Sequence, residues 1–152
     1  MKYFLSIGSN INATKNIEFA IKELNLVLSN INKSSTYQTK AVGFEGDDFL
    51  NLVVSGESSL NFDELNLKLK KIEDLSGRNR NAPKFSARTL DIDIVLQIDE
   101  DEIIFESDEI ERYDFVSDPL LEILWDLIDL RILFVIILKQ WVEMTLKMNL
   151  LS

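Results

Sequence analysis

The chain has 152 residues, 46% hydrophobic and 28% charged, which suits one globular domain and excludes a disordered or fibrous chain. It contains neither cysteine nor histidine, so disulfides, thiolate or imidazole metal sites and histidine-based nucleophile pairs are all excluded. The net charge of −10 repels nucleic-acid phosphates, and no basic stripe with interleaved aromatics offsets it.

The opening MKYFLSIGSN carries an apolar run too short for a signal peptide, and a cytoplasmic protein is expected. Tyr3 to Ile7 reads as a buried strand stopped by Gly8-Ser9-Asn10. From Thr14 to about Leu28, the apolar residues Ile17, Ala20, Ile21, Leu24 and Leu28 recur at helical spacing, with Thr14 as the expected cap. Ser34 to Thr39 reads as a second strand, Ala41 to Asp48 as a loop, and Phe49 to Val54 as a third strand. A second helix opens at Asn61 or Asp63 and ends at Ser76-Gly77 in a left-handed cap.

Arg78 to Ala87 is a basic loop that delivers the chain to Arg88-Thr89-Leu90-Asp91-Ile92-Asp93-Ile94-Val95, a strand with Leu90, Ile92 and Ile94 on its buried face. The order β-α-β-β-α-β is the ferredoxin-like arrangement, an α+β fold with an antiparallel sheet and helices on one face. An acidic connection from Gln97 to Asp118 follows, with a hairpin expected through Ile103-Ile104-Phe105. The tail from Leu120 is apolar and expected to be helical. Its run Ile132 to Leu138 falls far short of the about 20 residues of a membrane span. A buried element is the first reading of that run and an oligomer contact the second. The chain is expected to be a monomer that binds neither membrane nor nucleic acid, and residues 1–152 are expected to form one domain.

Asp91 and Asp93 share one face of their strand, about 7 Å apart at their bases. Two such carboxylates repel, and a hard divalent cation relieves the repulsion; Mg²⁺ is commonly held by one or two carboxylates plus substrate phosphates. Taken alone, the pair is more simply an exposed strand face. Arg78, Arg80, Lys84 and Arg88 immediately upstream change the balance, because cations beside a carboxylate pair suit an oligophosphate with its metal. The chain contains no glycine loop of the P-loop type.

The run from Gly77 to Val95 resembles the hallmark segment of 6-hydroxymethyl-7,8-dihydropterin pyrophosphokinases, folate-pathway enzymes that pass pyrophosphate from ATP to a pterin alcohol. Ile7-Gly8-Ser9-Asn10, Tyr37-Gln38-Thr39 through Val42-Gly43, Asp48-Phe49-Leu50-Asn51 and Ile72-Glu73 resemble further segments of that family in the same order. The match covers residues 1–96 well, and residues 97–152 diverge. The resemblance implies that Asp91 and Asp93 bind two Mg²⁺ ions and that Arg78, Arg80, Lys84 and Arg88 contact the triphosphate of ATP. It implies a pterin site of Thr39, Val42, Phe49, Asn51, Phe85 and Phe115, with Phe49 and Phe115 stacking on the ring. Glu73, Ile94 and Arg112, with Arg88, fall on the nucleotide side.

The chain departs from the family after Val95. A histidine that touches phosphate in the family is replaced by Ser107 or a neighbour, and acids stand near where phosphates belong. Two functions are therefore open at this point. One is an active Mg²⁺-dependent pyrophosphokinase, and the other is a homologue that binds pterin but handles ATP poorly. A plain interaction domain is a third reading, which the combination of Phe49, Asn51, Asp91 and Asp93 argues against.

Overall fold

A computed structural model describes residues 1–41, 43–82, 87–126 and 130–151. Val42, Lys84 and Phe85, all expected at the site, lie outside the described residues. The elements in chain order are β1 (Lys2–Ser9), α1 (Ala13–Leu24), β2 (Ser29–Lys33), β3 (Tyr37–Thr39), β4 (Phe49–Glu57), α2 (Phe62–Leu75), β5 (Asp91–Asp99), β6 (Glu102–Glu106), α3 (Glu109–Arg112), α4 (Asp114–Asp126) and α5 (Leu130–Leu151).

The strands form one antiparallel sheet in the order β2-β4-β1-β5-β6, with β3 also pairing β4. Of the expected second strand, Ser34 to Thr39, the described residues are strand only at Tyr37–Thr39 (β3), and an unexpected strand, β2, ends just before that span at Lys33. Ser34 stands between the two and exchanges ladder bonds with Val53: its N–H donates to the Val53 carbonyl at 2.9 Å, and its hydroxyl accepts from the Val53 N–H at 2.9 Å. The first helix begins at Ala13 rather than at a Thr14 cap. Asn12 precedes it in the left-handed region, φ 42°, a conformation asparagine tolerates better than most residues.

α2 has a reciprocal cap. Asn61 Oδ1 accepts from the Glu64 N–H at 2.9 Å, while Asn61 Nδ2 donates to the Glu64 carboxylate at 2.7 Å. At its far end Gly77 takes φ 87°, with Gly77 N–H donating to the Asp74 carbonyl and Arg78 N–H to that of Glu73. This left-handed turn sends Arg78 back over the end of the helix toward β5.

The sheet separates two cores. Tyr3, Leu5, Ile7, Leu52, Val54, Ile92 and Ile94 face α1 and α2 through Ile17, Ala20, Leu24, Leu65, Leu69 and Ile72. On the opposite face Phe4, Val53, Leu96 and Ile98 meet Ile110, Val116, Leu120, Ile123, Leu124 and Ile136 of the C-terminal helices. The helices of the expected core thus lie on one face, and the C-terminal helices α3, α4 and α5 cover part of the other. A bulge in β5 makes this possible. Leu5 opposes Ile94 and Phe4 opposes Leu96, so Val95 is an extra residue, and Val95, Leu96 and Ile98 all belong to the second core. Beyond that core, the same sheet face is left open as a cleft.

Candidate active site

The cleft has a volume of about 330 Å³ and is floored by β1, β4 and β5 where these strands run past α4. Ser6 and Gly8 of β1, Phe49 and Asn51 of β4, and Asp91 and Asp93 of β5 all face it, because alternate residues of neighbouring strands share a face. Thr39, Lys40 and Phe44 form one wall, Glu109, Tyr113 and Phe115 another, and Lys70, Arg78 and Arg88 the basic end.

The chain end after β1 is clipped to the strand that follows the basic loop. Asn10, almost fully buried, donates its backbone N–H to the Arg88 carbonyl and accepts the Arg88 N–H on its side-chain oxygen at 2.8 Å. Its amide donates to the Asp47 carbonyl at 3.0 Å, so one side chain joins three segments around the cleft.

Each aspartate has a protein cation beside it. Asp91 Oδ1 accepts from Arg78 at 2.6 Å, with an Arg88 nitrogen 3.7 Å away. Asp93 Oδ1 lies 3.4 Å from Lys70 Nζ. Burial raises the Asp93 carboxyl above its ordinary range, Asp91 raises it further, and Lys70 offsets only part of this. A cation held between the two carboxylates would relieve that strain, so the donor set suits a hard divalent ion. Among the described residues no cluster of three or more acidic side chains is close enough to bind a metal by itself, which leaves coordination positions for water and phosphate oxygens.

Glu73 lies behind this site, fully buried and outside the cleft lining. β6 reaches β5 only from Leu96 onward, so among the described residues the outer edge of β5 beside the aspartates has no strand partner. Glu73 fills that gap by accepting the Ile92 N–H at 2.8 Å. Its carboxylate also holds Lys70 at 3.1 Å, Arg78 at 2.9 Å and Arg80 at 3.0 Å. One buried anion therefore orients the three cations that approach from α2 and the turn after it.

Other expected residues are placed apart from the cleft. Arg80 reaches back to Asp74 at 2.7 Å as well as to Glu73. The Ile94 side chain is buried against α1 and α2. Arg112 is exposed and pairs with Asp108 at 3.5 Å. Ser107 caps the first turn of α3 by accepting the Glu109 N–H at 3.2 Å.

The acidic connection mostly points elsewhere. Glu100 and Asp101 make the left-handed turn between β5 and β6, Glu106 pairs with Lys139 at 2.6 Å, and Asp114 and Asp118 line a separate depression with Lys147. Among the described residues from Asp99 to Asp114, Glu109 is the one acid lining the cleft. Its carboxyl is raised by burial first, then by Asp93 and Asp91.

The aromatic end rests on two pairs. Phe44 meets Phe49 edge-on at 6.3 Å, and Tyr113 stacks on Phe115 at 4.9 Å. Asn51 is nearly buried and donates to Thr39 Oγ1 at 2.7 Å, which leaves its carbonyl oxygen facing Gly8. Lys40, Phe44, Lys70, Glu109 and Tyr113 were not expected from the sequence. Lys70 carried one signal, its position one helical turn before Glu73.

Residues 4–125 match the model of the 7,8-dihydro-6-hydroxymethylpterin-pyrophosphokinase family. The chain is 38% identical to the 2-amino-4-hydroxy-6-hydroxymethyldihydropteridine pyrophosphokinase of Aquifex aeolicus over 79% of its length and 78% of that protein. It is 31% identical to the Bacillus subtilis protein of the same name over 79% and 76% of the two chains. A folate synthesis bifunctional protein of Arabidopsis thaliana is 32% identical over 79% of this chain, which corresponds to 26% of that larger protein.

Proposed function

The chain belongs to the 7,8-dihydro-6-hydroxymethylpterin-pyrophosphokinase family and serves pyrophosphoryl transfer in folate biosynthesis, and we propose that it does so in the cleft between β1, β4 and β5. The substrates are ATP and the pterin alcohol. The hydroxymethyl oxygen attacks the β-phosphorus, the bond from that phosphorus to the α,β-bridging oxygen breaks, and AMP leaves with the α-phosphate. Such transfer needs little covalent help from protein. It depends on in-line positioning and on neutralising charge at the phosphates, which a chain without histidine can provide.

The carrying observation is the strained carboxylate pair with its ring of cations. Asp91 and Asp93, side by side at the basic end of the cleft, would hold Mg²⁺, two ions when ATP is bound, and the metal would supply charge neutralisation and orientation of the phosphate oxygens. Arg78 and Arg88 line the same end of the cleft and contact the triphosphate. Arg80 and Glu73 act through position, because Glu73 is buried beneath the site and Arg80 is tied to α2. The pterin lies at the aromatic end, between Phe49 and Phe115, with Asn51 and Thr39 bonding its polar edge. The outward direction of most of the acidic connection supports a working nucleotide half.

The strand order β2-β4-β1-β5 with α1 and α2 on one face supports the ferredoxin-like reading of the core, to which β6 and the C-terminal helices are added. No described helix is long and apolar enough to cross a membrane; the proposed enzyme acts as a monomer in the cytoplasm, where its substrates are small molecules.

The test is AMP formation from ATP and 6-hydroxymethyl-7,8-dihydropterin, with Mg²⁺ and with EDTA, beside the variant Asp91→Ala. Metal-dependent AMP release that the variant lacks is expected. Equal release by Asp91→Ala and the parent would remove the aspartates from the mechanism.

A further inference from the structure

We propose that Lys70 is a triphosphate-binding residue of this reaction, parked on Asp93 until a cation takes that aspartate. The proposal rests on the reading of the cleft given above and extends it to a side chain that reading leaves without a role.

Lys70 stands on α2 and reaches past the edge of β5 that Glu73 closes into the cleft, where its side chain is one-third exposed. Its ammonium has three oxygen neighbours, Glu73 Oε1 at 3.1 Å, Asp93 Oδ1 at 3.4 Å and the Ile92 carbonyl at 3.5 Å. All are longer than the about 2.7–2.9 Å of a strong charge-assisted hydrogen bond. Arg78, by contrast, meets Asp91 at 2.6 Å. Lys70 is thus held loosely by several partners, and Glu73 keeps it within reach of the cleft whichever way it turns.

A divalent ion on Asp93 would sit next to this ammonium, and two like charges at that separation repel. The lysine stem is flexible and its head is a compact point charge, so rotation toward the open cleft relieves the repulsion. The triphosphate is the concentrated negative charge on that side. Arg78 and Arg88 already flank Asp91, and Lys40 stands on the far wall beside Thr39. Among the described cleft residues, Lys70 is the cation next to Asp93. A purely structural lysine, one that only closes the edge of β5, would contact the same atoms. The two roles differ in what happens when metal and nucleotide bind.

The experiment compares the parent with Lys70→Met and Lys70→Arg by calorimetric titration with Mg²⁺ alone, with a non-hydrolysable ATP analogue plus Mg²⁺, and with the pterin alcohol. For Lys70→Met, the metal alone should bind severalfold tighter, because the competitor for Asp93 is gone. The analogue should bind roughly ten- to a hundredfold weaker, the loss of one hydrogen bond between charged groups. Pterin affinity should hold within about twofold, and Lys70→Arg should restore most of the nucleotide affinity. Unchanged analogue binding by Lys70→Met would overturn the proposal. So would a parallel loss of metal, analogue and pterin binding with a lower melting temperature, the signature of a structural lysine. A parent that fails to bind the analogue, or an Asp93→Asn variant that binds metal as the parent does, would instead overturn the metal reading on which the proposal stands.

Discussion

Replacing Glu73 by alanine tests the supporting layer of the site most directly. The carboxylate is fully buried and accepts four bonds: from the Ile92 N–H, Lys70, Arg78 and Arg80. Removing it leaves a buried backbone N–H without an acceptor, a loss of about 1–3 kcal/mol. It also leaves three cations close together without their shared anion. Breaking a fully buried pair costs about 3–5 kcal/mol, but here the cation side chains are 14% to 40% exposed, and water recovers part of the loss. About 3 kcal/mol in total is expected, or a melting temperature roughly 6–12 °C lower for a chain of this size. Glu73→Gln retains an acceptor for the Ile92 N–H and should lose less than half as much. Thermal unfolding followed by circular dichroism, with urea midpoints as a check, measures both. A Glu73→Ala protein melting within about 2 °C of the parent would refute the reasoning. It would mean that the edge of β5 does not depend on this carboxylate.

Asp93 should leave a signature in the pH dependence of stability without metal. Its folded pKa is raised, so between the unfolded and folded values the native state binds more protons, and stability falls as pH rises through that window. Asp93→Asn should therefore melt above the parent at neutral pH, with the gap closing as pH falls to about 4, and a variant that melts lower at neutral pH would contradict the sign. Gly8→Ala places a methyl group 2.8 Å from Asn51 Oδ1, so it should weaken pterin binding as Asn51→Ala does and leave the affinity for the ATP analogue within about twofold, both read by calorimetry. A Gly8→Ala protein with unaltered pterin affinity would show that the Asn51 carbonyl is not held for substrate.

The parts of the site that lie on strands were legible because strand geometry is local. Alternation alone put Asp91 and Asp93 on the face opposite Leu90, Ile92 and Ile94, as the register and the core now have it. The cap at Gly77 was legible for the same reason, since a left-handed turn needs a residue that tolerates it. Contacts made across the chain were not. Lys70 meets Asp93 only because α2 lies along the edge of β5, a consequence of tertiary packing. Asn10 looked like a turn residue, yet its amide ties Asp47 and Arg88 together, segments far apart in sequence. The direction of the acidic connection was equally hidden, because composition gives the number of charges and not where α3 and β6 point them.

The extra residue at Val95 gives β5 a double allegiance. Before it, the strand presents carboxylates to the cleft; after it, the same face presents Leu96 and Ile98 to α3, α4 and α5. In a regular strand both halves would share one phase, and any change of length would turn either the chemistry or the packing inside out. With the phase reset at one residue, the two halves become separately editable. The helices beyond the cleft can be rebuilt, lengthened or replaced while the aspartates keep their aim. Changes to the C-terminal helices can in this way leave the candidate site in register.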